Sequence, residues 1–508
     1  MSDETSNSVI GLDLGSHHAS IAIWDQEKDR VEVIADDLGS RTIPTTVGYR
    51  GEEVLVGQAA GAQEHKNSAN TFADVRARLM CGDGDAATVN VPLLNKEVPV
   101  TEVGKHFFRN IHNQVKQQLG KVVRECVLSV PAGLSDADKA RIVRVAMDGG
   151  VRIKAVVPDT TAIMLAYGMD AHSMHGTVFV LDMGWSRTEM ALFDVRAGVM
   201  FHRGTKTVDC CNGKAMVELI TGHCAKDFKR KTKNDCTDNK KSMLRLRKEC
   251  EQALKQLSMG TEVSIDIDSL FDGVDYSGRV TRARADDLCA IPFMQLKNAA
   301  TEFLTASGVS QEAVTHVCMA GGLSSMPKSI SMTKALFSKA TMAKPERGPS
   351  ASGMTTTAEA QCAGAAMRGR ELFLEEKLMG AGVADEAEGP MVALGRSLAL
   401  TADGAGDAGV TRCELFAVGT PLPAVRYLTV PCMVEHNSFS LVAGGGGEAL
   451  TSVDDTPLAE VGFSVEGASA ETPIGVKVTV EVSAGGETVV TVTKTDQELA
   501  SVTVAAGN

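Results

Sequence analysis

Two short segments place an acidic residue and a glycine in the same arrangement. In the run Val9-Ile-Gly-Leu-Asp-Leu-Gly15 an apolar stretch ends in Asp13-x-Gly15, and a second apolar run, Ile21 to Trp24, follows at once. The run Val178-Phe-Val-Leu-Asp-Met-Gly184 repeats this with Asp182-x-Gly184, followed by Met190 to Phe193. In both copies a further aspartate, Asp25 or Asp194, lies twelve positions after the first. An aspartate at a strand end can orient a Mg2+-bound or nucleophilic water. The glycine lets the backbone come close enough for N–H groups to face phosphate oxygens. One such hairpin alone is an ordinary turn. Two that face each other would clamp a nucleotide's phosphates from both sides. A third turn, Gly321-Gly322 after the run Val317-Cys-Met-Ala320, suits close approach to an adenine or ribose.

The elements that must position these turns follow from periodicity. Each aspartate hairpin reads as two strands and a tight loop, and the repeat implies two lobes on one plan. Val103, Phe107, Ile111, Val115 and Leu119 have helical spacing, with Gly120 as a stop. Val127 to Val130 reads as a buried strand, 136–147 and 160–167 as helices, and 226–257 as one long charged helical region. Near residue 377 the composition changes. The small, acidic, unpatterned stretch over 377–391 reads as a linker. Beyond it the period becomes two: Val476, Val478, Val480 and Val482 alternate with Lys477, Thr479 and Glu481. Gly485-Gly486 offers a hairpin into Val490 and Val492, and Val502 and Val504 offer one more strand. Residues 392–508 are therefore assigned to an all-β domain, with no helical pattern after it.

Composition excludes several classes. The chain of 508 residues carries a net charge of −13, which argues against a general DNA, RNA or anionic-membrane binder. No apolar run is long enough to span a bilayer. The polar, acidic start MSDETSNS lacks the features of a signal peptide, and twelve dispersed cysteines without a CxxC pair fit reduced thiols, so a cytoplasmic protein is expected. The stretch 226–248 holds ten Lys/Arg against three acids and reads as a solvated face rather than an RNA-binding surface. His17-His18 has no third ligand at useful sequence spacing, so no metal site is read there. Cys210-Cys211 and His223-Cys224 read as plain thiols, and Gly444 to Gly447 as a loop tip.

Many segments in register make the sequence resemble the heat shock protein 70 family. Among them are 10–16 (IGLDLGS), 40–44 (SRTIP), 129–132 (SVPA), 165–168 (LAYG), 269–273 (SLFDG), and Gly321-Gly322 ahead of Met326-Pro-Lys328. The resemblance covers 9–376 and, more weakly, the β part. It implies an α/β fold: a two-lobed actin-like (ribonuclease-H-like) nucleotide-binding domain over 9–376, with lobe I at about 9–170 and lobe II at about 177–376. A small all-β domain resembling a substrate-binding domain, without its helical lid, follows. Carried over by motif, the nucleotide-binding positions are Asp13, Gly15, Ser16, Gly184, Glu251, Lys255, Ser258, Gly321 and Gly322. The family's catalytic positions fall at Arg76, Asp159, Asp182 and Glu189. Mg2+, with ATP or ADP, would be held through water by Asp13 and Asp182.

The departures bear on activity. The second phosphate loop reads Asp182-Met-Gly184-Trp185-Ser186-Arg187, with an indole where the family has a glycine. A lysine becomes Arg76, a planar fork rather than a compact ammonium. Loop threonines become Ser16 and His17, a glutamate becomes Asp159, an aspartate becomes Glu189, and an adenine-stacking arginine becomes Ser325. The resemblance therefore runs to the lidless Ssz-type branch. It implies a chaperone or co-chaperone whose nucleotide is structural, with hydrolysis weak or absent. The expected partners are a J-domain protein, held as a stable heterodimer, the ribosome and nascent polypeptide. The alternative is an active ATP-dependent chaperone with a nucleotide-coupled cycle. A sugar kinase of the same fold is disfavoured, because the basic helix and the Ser-Leu-Phe-Asp-Gly segment belong to the chaperone.

Overall fold

The two aspartate hairpins lie at the centres of two sheets built on one strand order. The protein is described from a computed structural model over residues 9–25, 30–36, 39–80, 86–120, 125–171, 173–196, 198–345, 357–378, 397–403, 410–416, 424–432, 436–444, 456–466, 474–482, 488–494 and 497–504. In lobe I, β1 (Val9–Leu14), β2 (His18–Asp25), β3 (Arg30–Ile34), β4 (Glu125–Val130) and β5 (Arg152–Pro158) are ordered β5-β4-β1-β2-β3, with Ile43–Pro44 also paired to β2. In lobe II, β6 (His175–Met183), β7 (Thr188–Arg196), β8 (Val199–Val208), β9 (Val314–Ala320) and β10 (Thr341–Met342) are ordered β8-β7-β6-β9-β10. Along these orders each sheet has two antiparallel pairings on one side of its central strand and two parallel pairings on the other, the Ile43–Pro44 pairing being an antiparallel addition in lobe I. The internal repeat read from the sequence is thus a repeat of topology.

Both central strands are buried on both faces, as strands with parallel neighbours are. Leu12 and Leu14 enter a core with Phe107, Phe108 and Ile111, contributed by α1 (Val100–Leu119). Gly120 ends α1 in the left-handed conformation. Two further helices fill the space between the sheets. One is α3 (Asp159–Ala166), which comes after α2 (Asp136–Asp148) in the chain. The other is α6 (Ala360–Leu378). Ile163 and Met164 of α3 share a cluster with Val178 and Val180 of β6, Phe193 of β7, and Ala363 and Ala366 of α6. The Tyr167 hydroxyl donates to the Met319 carbonyl, fixing the end of α3 beneath lobe II.

The approach is close enough to require small residues. A Cβ on Gly11 would fall 2.2 Å from Ala366 N, and one on Gly364 would fall 1.8 Å from the Ala162 carbonyl oxygen. The chain of small residues Ala360, Ala363, Gly364, Ala365 and Ala366 thus lets α6 lie against both β1 and α3 at backbone distance.

Three expectations change. The charged region over 226–257 is two helices, α4 (Gly213–Thr232) and α5 (Lys240–Leu257), not one. Lys233 turns left-handed after α4, and Asn239 caps α5 by accepting from Ser242 N, so Asn and Asp residues of the 234–239 segment break the helix. α4 also begins earlier than expected, capped by Asn212. Its basic residues are partly neutralised locally: Arg230 and Lys231 pair with Asp227, Lys229 with Asp235, and Arg247 with Glu218. Finally, α6 runs through Leu378, past the expected start of the linker, while 379–391 lie outside the described residues.

Toward the C-terminus the described residues form two four-stranded antiparallel sheets. One contains β11 (Ser397–Asp403), β12 (Val410–Phe416), β14 (His436–Gly444) and β15 (Thr456–Ser464), in the order β12-β11-β14-β15. The other contains β13 (Ala424–Cys432), β16 (Ile474–Val482), β17 (Thr488–Lys494) and β18 (Gln497–Val504), in the order β13-β16-β17-β18. Val476, Val478, Val480, Val490 and Val492 are fully buried, as their alternation requires. The turn over Gly485-Gly486 and residues 445–447 of the expected loop tip lie outside the described residues.

The Gly364 contact gives a prediction with a distinctive sign. In an exposed helix, Gly→Ala stabilises by about 1 kcal/mol. Gly364→Ala is expected to destabilise by about 2 kcal/mol or more, because the added carbon meets backbone that cannot move aside. Urea unfolding of the two proteins measures it.

Candidate functional site

β1 and β6 end side by side with the N-terminus of α3, so Asp13, Asp182 and Asp159 reach one cavity. That cavity, about 400 Å3 in volume, is lined by every residue proposed from the sequence: Asp13, Gly15, Ser16, Arg76, Asp159, Asp182, Gly184, Glu189, Glu251, Lys255, Ser258, Gly321 and Gly322. The volume is within the range of small-molecule sites. Lobe I supplies Asp13 to Ser16 from the β1–β2 turn, Arg76 from the short helix Val75–Leu79, and Asp159. Lobe II supplies the β6–β7 turn, Glu189, one face of α5, and the turn after β9.

The glycines do different work. Gly321 has φ +83°, and a Cβ there would sit 2.4 Å from the Met183 carbonyl oxygen and 2.6 Å from Asp182 Oδ1. Only glycine fits. Among the described residues nothing lies within 4 Å of a Cβ on Gly322, so its backbone faces open space there. Gly15, by contrast, is needed for its own turn, since a Cβ would meet the His18 carbonyl oxygen at 2.3 Å.

The floor of the cavity is acidic. Burial and then the charge of Asp159 push Asp13 well above the ordinary carboxylate range, against the pull of Arg76. Burial, followed by Asp159, raises Asp182 to about 7 and Glu189 to about 8. Asp159 is also raised by burial, although Arg76 and a hydrogen bond donated by Ser129 Oγ oppose it. Arg76 is fully enclosed, and its Nη1 donates to the Leu14 carbonyl at 2.9 Å. Glu189 accepts from Ala132 N at 3.3 Å, linking the lobes. Among the described residues Asp182 Oδ1 is buried with no hydrogen-bond partner. This oxygen and the Asp13 carboxyl line the same cavity and supply the donor chemistry a hydrated divalent cation requires, so the residues present fit Mg2+ held through water.

The mouth of the cavity is where the structure adds most. Trp185 does find room: a Cβ on Gly213, at the start of α4, would come 2.8 Å from its ring, so glycine there accommodates the indole. The indole stacks on His17 of the opposite loop, with ring centroids 4.0 Å apart and planes 11° from parallel. His17 Nε2 also lies 3.0 Å from Glu251 Oε2, while Lys255 Nζ takes Glu251 Oε1 at 2.8 Å. Burial alone would raise Glu251, but the hydrogen bond from His17 and the charges of His17 and Lys255 hold it near 2. Glu251 and Lys255 are therefore engaged by the protein itself. Ser258 Oγ donates to the Lys255 carbonyl.

Among the lining residues that sequence reasoning does not propose, two act on the acidic floor, Arg187 and Gln361. Arg187 faces the acidic floor, and after burial its charge is what pulls the Arg76 guanidinium below its ordinary range. It occupies the place in the second hairpin that His18 has in the first, so the repeat itself is the signal that could find it. Gln361, whose side chain hydrogen-bonds Asp182, has no local signal at all.

Comparison with known proteins settles the family. The model described as "Hsp70 protein" matches residues 9–83 and 76–348, more than half of the chain. The chain belongs to the Hsp70 family. This Hsp70-family chain is 31% identical over 352 residues to a heat shock protein of Pyricularia oryzae, covering 65% of the chain and 57% of that protein. It is 27% identical over 343 residues to "Heat shock 70 kDa protein" of Neurospora crassa, covering 63% and 53%. With "Heat shock 70-related protein 5" of Dictyostelium discoideum it shares 26% identity over 355 residues, covering 63% and 68%. The match to the first two spans little more than half of their length.

The acidic floor predicts a pH dependence of stability. In the unfolded chain Asp and Glu titrate near 4. Asp182 and Glu189 titrate at about 7 and 8 when folded. The folded state thus holds more protons between these values, and stability is greatest at the acid end of the window. The melting temperature is expected to fall as pH rises from about 5 to 8, and Glu189→Gln is expected to flatten that slope. Scanning calorimetry across this range checks it.

Proposed function

We propose that this Hsp70-family chain is an atypical chaperone or co-chaperone that binds ATP or ADP with little or no hydrolysis. It acts as the stable partner of a J-domain protein on nascent chains at the ribosome. In this reading 9–376 is the nucleotide-binding domain, 377–391 the linker and 392–508 the β domain. The observation that carries it is the His17–Trp185 stack, tied on to Glu251, across the mouth of the cleft. A loop that must grip phosphates needs backbone N–H groups free to approach them. Here one loop carries an indole and the other an imidazole, and the rings hold each other. The partner and the ribosome come from the resemblance to the Ssz-type branch.

The chain's own residues suffice for binding. Gly321-Gly322 opposes the α5 face bearing Glu251, Lys255 and Ser258, which suits a base and ribose. Asp13 and Asp182 would hold Mg2+ through water, and that ion would neutralise phosphate charge. Positioning an attacking water is another matter. Phosphoryl transfer depends almost wholly on positioning, and Arg76 already donates to the Leu14 carbonyl while lying among Asp13 and Asp159.

One observation favours the alternative, an ATP-cycling chaperone: Asp13, Asp159, Asp182 and Arg76 do converge, with Asp182 Oδ1 unpartnered among the described residues. Single-turnover hydrolysis separates the readings. A rate at background is expected; a clear rate abolished by Asp182→Asn establishes the cycling enzyme. For the partner, co-expression with a J-domain protein is expected to give a complex that survives size exclusion at high salt with excess ATP. Dissociation under those conditions removes the stable heterodimer.

A further inference from the structure

At the mouth of the cleft the two lobes bring together ligands that are far apart in sequence. His17 stands in the β1–β2 turn of lobe I, His18 at the start of β2, and Glu251 on α5 of lobe II. One ligand atom from each lies within 4.8 Å of the others. The sequence shows only a histidine pair, and the third ligand is supplied by folding. We propose that His17, His18 and Glu251 form a transition-metal site, suited to Zn2+, that ties the lobes across the cleft mouth.

The donor set and its surroundings favour this. Two imidazoles and a carboxylate are the ligands of borderline-soft divalent ions, not of Mg2+. Three protein ligands leave a fourth position for water or for an anion in the cavity. His18 is held uncharged, with burial and then His17 lowering it to about 3, so a ring nitrogen keeps its lone pair at neutral pH. Glu251 is already a carboxylate. Lys255 takes Oε1 at 2.8 Å, which orients Oε2 toward His17. That contact does what outer-shell partners do for metal ligands. The stack on Trp185 fixes the plane of the His17 ring. For His17 to ligate through Nε2, the proton it shares with Glu251 Oε2 moves to Nδ1 of the same ring and the metal takes its place. Tetrahedral bonds of about 2.0–2.1 Å put ligand atoms about 3.3 Å apart. His17 Nε2 and Glu251 Oε2 are already 3.0 Å apart, so the adjustment on binding falls mainly to the His18 ring. The site does not depend on the function proposed above, since it needs neither nucleotide nor partner.

The test uses the untagged full-length chain and Co2+ as a spectroscopic probe. The expected result is one Co2+ per chain with visible ligand-field absorption, displaced by Zn2+ but not by a large excess of Mg2+. The chain has only two tryptophans, Trp24 and Trp185. In a Trp24→Phe background the bound ion should quench the emission of Trp185. His18→Ala and Glu251→Gln should each weaken binding at least tenfold, while His65→Ala leaves it unchanged. His17→Gln replaces His18→Ala if the latter loses the wild-type melting transition. The proposal is overturned by no binding at millimolar Co2+ or by affinity indifferent to all three ligand substitutions. Displacement by Mg2+ also overturns it, since the ion would then sit at the carboxylates of Asp13 and Asp182.

Discussion

The structure depends on one steric constraint: α6 must touch both β1 and α3 at backbone distance. Where Gly11 faces Ala366, and Gly364 faces the Ala162 carbonyl, no side chain intervenes. A sheet and a helix separated by ordinary side chains would put the strand ends of the two lobes too far apart to share a cavity. With small residues along this seam, β1, β6 and the N-terminus of α3 end at one place, and three aspartates meet there. The cavity exists because of residues that do not line it.

The electrostatic character of the site follows from that geometry. Carboxylates brought together away from water repel one another and lose hydration, so their protons are held more tightly than usual. Two guanidinium groups, Arg76 and Arg187, offset part of the charge. Arg76 does so from inside the protein, committed to a backbone carbonyl, which makes it part of the wall. The Glu251 carboxylate is in the opposite state. It is held ionised by His17 and Lys255, and so belongs to a cross-cleft ion pair rather than to the acidic floor.

What is legible in the sequence is local or repeated. Asp13-x-Gly15 and Asp182-x-Gly184 can be found because each motif is contained in one hairpin, and the second copy doubles the signal. The valine alternation of 476–482 is legible because a strand with one buried face has period two. The 226–257 region misleads because its charge is more conspicuous than its Asn and Asp breakers. The contacts that give the site its character are not legible. His17 with Trp185, and His17 with Glu251, join loops or helices from different lobes. The sequence carries the types of these residues but nothing about their meeting. Gln361 is the clearest case: a lone polar residue at the start of a small-residue helix, whose partner is fixed only by the packing of that helix.

The seam along α6 has a mechanical consequence. Backbone-to-backbone contact leaves no soft side-chain layer to be compressed, so the crossing of α6 with α3 acts as a fulcrum. The β1–β2 turn and α5 stand at the far ends of the two arms. A small rotation of one lobe about this pivot is therefore magnified at the tips. His17 stands at one tip and Glu251 at the other, with Trp185 of the β6–β7 turn stacked on His17, so the contacts that clasp the lobes sit where such a rotation would be felt most.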